Sequence, residues 1–88
     1  MYTIFKTGQY LKDERKYRNV IGHEAFDKME AQLSSEPTYK PNRIKKLTGY
    51  YPPYRYQLAD FRVLYDIDEE AKTVILHTIK PRGEAYKK

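Results

Sequence analysis

Hydrophobic and polar positions along this chain change period several times, and each change predicts an element. Tyr2 to Lys6 alternates around Ile4 and Phe5, which predicts a first strand. Thr7 is a suitable cap for a helix that follows, with Tyr10, Leu11 and Tyr17 near one face and Lys12, Asp13, Glu14, Arg15 and Lys16 turned to water. Gly22 breaks that pattern. From His23 the spacing of Phe26, Met29, Glu30 and Leu33 predicts a second amphipathic helix, ended by Ser34, Ser35 and the Glu36-Pro37 step. The two helices form a hairpin in this reading.

Residues 37–53 hold four of the five prolines and Gly49, so they read as an irregular connection, with a short regular piece around Ile44 to Leu47 at most. Period-two segments return at Tyr54–Leu58, Phe61–Ile67 and Lys72–Ile79, the last two joined by the acidic turn Asp68–Ala71. A turn centred on Ala59-Asp60 pairs Leu58 with Phe61, Tyr56 with Val63 and Gln57 with Arg62. The apolar faces of the two strands then coincide, and Arg55 and Arg62 emerge together on the opposite face. The helices need that apolar face for Tyr10, Leu11, Phe26, Met29 and Leu33. A two-layer α+β domain follows, a helix pair on one face of a small, mainly antiparallel sheet of three to four strands. The last strand's register stays open, because Val74, Leu76 and Thr78 alternate with Ile75, His77 and Ile79 and both sets are apolar enough to be buried.

Composition narrows the picture. At 88 residues and 40% apolar content the chain supports one core, and residues 1–88 read as a single domain. The absence of cysteine removes disulfides and thiolate metal ligands, and two distant histidines, His23 and His77, do not suggest a metal site. No apolar run approaches the roughly 20 residues that span a bilayer, and the N-terminus lacks a signal-peptide layout. The expectation is a soluble, cytoplasmic protein with no membrane partner, no cofactor and no small-molecule ligand.

Charge adds a candidate function. The formal net charge is +5, and between Glu36 and Asp60 there are five basic residues, Lys40, Arg43, Lys45, Lys46 and Arg55, and no acid. Such a stretch attracts polyanions, nucleic acid among them, or an acidic protein, although a solvated loop kept soluble by its lysines has the same composition. Ten tyrosines, of which Tyr50, Tyr51, Tyr54, Tyr56 and Tyr65 lie in or beside the basic stretch, offer rings for unstacked bases. Tyrosine is also a favoured strand residue, so the same rings can simply pack a sheet. Arg55 and Arg62 carry a similar ambiguity: strand arginines can cover the sheet with their stems and meet Asp60 or Asp66.

Three stretches taken in order, "IKKLTG" at 44–49, "YRYQLADFRVLYDID" at 54–68 and "VILHTIKPRGEAY" at 74–86, resemble the pattern of the RelE/ParE superfamily of bacterial toxins. In that pattern Leu-x-Gly is followed by Tyr-Arg, then by an aromatic-Arg-Val strand, then by Ile-x-x-Arg-x-x-x-Tyr. The resemblance implies a small basic toxin held inactive by a cognate antitoxin protein. On the RelE side it implies a ribosome-dependent endoribonuclease, an mRNA interferase acting on messenger RNA in the ribosomal A site. There the RNA 2′-hydroxyl attacks the adjacent phosphate and leaves a cyclic phosphate.

Residue by residue, Arg62 and Arg82 match the arginines that hold the phosphate, and Tyr86 matches the ring that stacks on or orients a base. Arg55 stands where RelE has the first of two lysines. The second lysine position is Gln57, which cannot move a proton well, so another group must serve. His77 and Lys80 are the candidates, with Glu84 a further one. His77 also reads as a satisfied residue on a buried strand, and Glu84 as an exposed charge. Two other classes remain open at this stage: a ParE-like toxin that inhibits DNA gyrase without nuclease chemistry, and an inactive module that binds RNA or protein through the basic face.

Overall fold

A computed structural model describes residues 1–38 and 43–81. Its order is β1 (Thr3–Lys6), α1 (Gly8–Ile21), α2 (His23–Ser35), β2 (Ile44–Lys46), β3 (Tyr54–Leu58), β4 (Phe61–Asp68) and β5 (Thr73–Pro81). These strands form one five-stranded sheet in the order β1-β5-β4-β3-β2. The α+β class holds, with five strands in place of the expected three to four. Ile44–Lys46 pairs as a strand because Ile44 reaches the core beside Tyr56, and β1 pairs parallel to β5. All other pairings are antiparallel.

Local chemistry sets the helices. The Thr7 hydroxyl accepts the Tyr10 amide at 3.1 Å and caps α1. Gly22 has φ of 87° and stops α1 by donating its amide to the Arg18 carbonyl at 2.9 Å. Among the helical residues Tyr10, Phe26, Met29 and Leu33 are buried. They meet Ile44, Tyr56, Leu58, Val63, Tyr65, Val74, Leu76 and Ile79 from one sheet face. Each fully buried aliphatic side chain there contributes about 1.5–3 kcal/mol. Leu11 departs from expectation and is 45% exposed, whereas Asp13 and Glu14 turn inward. One position along a helix is a rotation of about 100°, enough to move Leu11 off the stripe that Tyr10 occupies.

Inward Asp13 has a defined purpose. Its carboxylate accepts the Thr78 hydroxyl and, at 3.0 Å, the Ile79 amide, just past the point where β1 ceases to pair with β5. Glu14 and Glu30 flank Lys6 at 3.2 and 3.0 Å and tie β1 to both helices. At the other end of β1, the Tyr2 amide and carbonyl are both bonded to Ser34, at 2.7 and 2.9 Å.

The β3–β4 hairpin has the expected register, with Leu58 opposite Phe61, Tyr56 opposite Val63 and Gln57 opposite Arg62. Ala59, at φ of 56°, supplies the left-handed residue of this tight turn. The open register of the last strand is resolved by an irregularity. Leu64 pairs with Thr78 but Tyr65 pairs with Leu76, so His77 is an extra residue in β5. That insertion changes the parity of the strand. Val74 and Leu76 before it, and Ile79 after it, all reach the core.

Candidate functional site

The sheet has a second face, away from the helices. Alternation along β3 and β4 puts Arg55, Gln57, Arg62, Leu64 and Asp66 there, since Tyr56, Leu58, Val63 and Tyr65 occupy the core side. Pairing extends the face sideways. Arg55 lies between Lys45 on β2 and Leu64 on β4, while Arg62 lies between Gln57 on β3 and Lys80 on β5. Arg55 and Arg62 are therefore diagonal neighbours. Burial, and then the positive charge of Arg62, push the Arg55 pKa below its ordinary value.

Arg62 is 6% exposed, the one charged residue in the buried set among the described residues. It donates to the Phe61 carbonyl at 3.2 Å, while its Nε is buried with no hydrogen-bond partner. Among the described residues it makes no ion pair, so it does not meet Asp60 or Asp66. A buried guanidinium without a counter-ion is costly, and an anion bound against it recovers that cost.

Arg43, Lys45, Arg55 and Gln57, with Ile44, line a cleft of about 380 Å³ at the β2–β3 side of the face. Three of the expected RNA-binding cations are thus brought together. Lys46 is not among them: it pairs with Tyr54, and its Nζ sits 5.6 Å from the centre of that ring on the core side. A two-residue period assigns neighbouring lysines to opposite faces, so a run of basic residues overstates the charge available on one of them. Lys80 is exposed opposite Arg62. Lys40, Arg82, Glu84 and Tyr86 lie outside the described residues.

His77 is half-buried at the irregularity of β5, and its backbone carbonyl accepts the Thr7 hydroxyl at 2.9 Å. The side chain is not satisfied as a structural histidine would be, because Nε2 is buried without a partner. The Tyr51 ring meets the His77 ring edge-on, with centroids 5.6 Å apart and planes at 68°. Tyr51 also reaches Asp66: partial desolvation, together with a hydrogen bond to the Asp66 carboxylate and its charge, holds the phenol above its ordinary pKa. The sequence offered Tyr51 as one of five rings for unstacked bases and Asp66 as a partner for the strand arginines, but did not bring the two together. No group of three or more His, Cys, Asp or Glu side chains suited to a metal ion occurs among the described residues.

The fold defines a class. The chain superposes on a chain of the archaeal RelE-RelB complex from Pyrococcus horikoshii OT3 with a TM-score of 0.77 and 25% identity, over 93% of this chain and 96% of that one. It is similarly close to a chain of the toxin-antitoxin complex RelBE2 from Mycobacterium tuberculosis, with a TM-score of 0.72 and 25% identity over 92% and 98% of the two chains. A metal-bound toxin from Helicobacter pylori shares the fold at a TM-score of 0.79 and 21% identity, over 98% and 100% of the two chains. No protein-family model and no curated protein matches the sequence. This chain has the RelE-like toxin fold, and the likeness carried by its ordered motifs extends to three dimensions.

Proposed function

We propose that this protein is the toxin of a toxin–antitoxin pair and that it cleaves messenger RNA on the ribosome. The observation that carries the reading is Arg62, buried in the sheet face opposite the helices with an unpartnered Nε and with Arg55 beside it, on a RelE-like fold. Two guanidinium groups so placed suit a phosphate. In the reaction the RNA 2′-oxygen bonds to the adjacent phosphorus, the bond from phosphorus to the 5′-oxygen breaks, and a 2′,3′-cyclic phosphate is left. The 2′-hydroxyl gives up a proton and the departing 5′-oxygen takes one. Arg55 and Arg62 stabilise the charge that builds on the phosphorane, with Arg82 as a third cation and Tyr86 stacking on a base. His77 and Lys80 carry the protons, since Gln57 has no titratable group.

Expression of the chain without its partner should arrest growth and cut translated messages, and Arg62→Ala should abolish both. Toxicity that survives Arg62→Ala overturns the assignment. Gln57 is the specific observation favouring a second reading, in which the protein inhibits DNA gyrase as a ParE-like toxin. Inhibition of purified gyrase with messages left intact selects that reading.

The partner in either case is an antitoxin. The net charge of +5 and the likeness to chains from complexes described as RelE-RelB and RelBE2 support a partner with an acidic and apolar segment that orders on binding. An acidic product of an adjacent reading frame should co-purify with this chain.

A further inference from the structure

Tyr51 is a large ring left in solvent, at 74% exposure, and yet it is held in place. Its ring is braced edge-on against His77, and the Asp66 carboxylate is close enough to help hold its phenol above the ordinary pKa. Asp66 is itself fixed, accepting the Ile67 amide at 2.7 Å. Holding an exposed side chain in this way costs rotamer freedom, and little apolar surface is buried in return. What the arrangement provides is a pre-oriented aromatic surface.

Its place on the sheet gives that surface a ligand. Arg62 and Asp66 lie on one face of β4, four residues and roughly 13 Å apart along the strand. A short run of unstacked nucleotides bridges such a distance. By register the face carries the cations Lys45, Arg55, Arg62 and Lys80 against the carboxylates Asp66 and Asp68. Asp68 is turned to the Ala71 amide at 3.1 Å in the β4–β5 turn. The charge is therefore polarised, with cations at one end and a carboxylate beside the ring at the other. A phosphate is drawn to the arginines and repelled from Asp66, whereas a base has no net charge to be repelled and stacks on the ring.

We propose that Tyr51 is a stacking platform for one base of a single-stranded RNA whose phosphate lies on Arg55 and Arg62, with Asp66 as the positioning residue that holds the ring. The inference rests on the ribonuclease reading of this face and adds a base subsite to it. Stacking of this kind tolerates any base, so the platform orients the strand and does not read its sequence.

Binding of the full chain to short single-stranded RNA tests it, with 2-aminopurine as the reporting base and 2′-O-methyl sugars to prevent cleavage. Stacking quenches the fluorescence of the reporter. Tyr51→Ala should lose the quench and weaken binding about tenfold. Tyr51→Phe, which keeps the ring, should restore most of both, and Asp66→Ala should leave a partial quench. A full quench and parental affinity in Tyr51→Ala, or no quench in the parent chain, overturns the proposal. Arg55→Ala and Arg62→Ala separate it from the reading beneath it. If both bind RNA as the parent does, with unchanged salt dependence, the phosphate site is wrong. If they weaken binding and Tyr51→Ala does not, the stacking platform alone is wrong.

Discussion

Gln57 stands directly opposite Arg62 in the β3–β4 ladder, so the position that lacks a titratable group is a rung neighbour of the buried guanidinium, as Lys80 is on the other side. Gln57→Lys places a further cation against the same phosphate and supplies a group able to exchange a proton. Cleavage of ribosome-bound message should rise about tenfold or more, with a steeper dependence on salt. Unchanged cleavage by the variant shows that Gln57 does not limit the chemistry.

The buried tyrosines Tyr10 and Tyr65 differ in one respect that mutation exposes. Tyr65 donates its hydroxyl to the Pro37 carbonyl at 2.7 Å, whereas the Tyr10 hydroxyl is buried without a partner. Tyr65→Phe should cost about 1 kcal/mol, and Tyr10→Phe should be neutral or stabilising by a similar amount. Denaturant unfolding of the two variants measures the difference.

Alkaline pH should unfold the protein by a route readable from the same groups. Burial, then the charges of Glu14, Glu30 and Asp13, push the Tyr10 phenol far above its ordinary value, and burial with Tyr54 and Tyr56 does the same to Tyr65. For Lys6, burial pulls the pKa down, but Glu30 and Glu14 outweigh it and leave it raised. A folded pKa above the unfolded one means that the unfolded chain loses its proton first. The stabilisation is complete below about pH 10 and is lost as pH rises beyond it. The thermal midpoint should fall steeply above that value, and less steeply in Tyr10→Phe.

Asp13 fastens α1 to β5 at the irregularity that sets the position of His77. Asp13→Ala removes the acceptor for the Thr78 hydroxyl and the Ile79 amide. The loss should be about 2–3 kcal/mol, a fall of roughly 10–20 °C in thermal midpoint. A midpoint unchanged by the substitution means that water replaces the carboxylate at no cost.

Local periodicity made much of this fold legible. The β3–β4 register, and with it the shared face of Arg55 and Arg62, followed from strand alternation and an even turn. What escaped depended on contacts distant in sequence. The parallel pairing of β1 with β5 leaves no local signal, and the three residues of β2 are too few to establish a period. The irregularity at His77 breaks the assumption of period two on which any strand reading rests, and the Asp13 and Thr7 side chains that bond to it are more than sixty residues away. The site divides in the same manner. Arginines on strands are placed by alternation, whereas Tyr51 lies in a proline-flanked connection whose path no period predicts.

The strand order also sets a timetable. Among the described strands β5 is the last to be synthesised, yet it sits between β1 and β4 and supplies His77 and Lys80 to the second face. Until it emerges, the first strand has no neighbour in the sheet and the hairpin of β3 and β4 has one side unpaired. A nascent chain carrying Arg55 and Arg62 is therefore still an open sheet, and the cationic face closes only when residues 73–81 thread between halves already made.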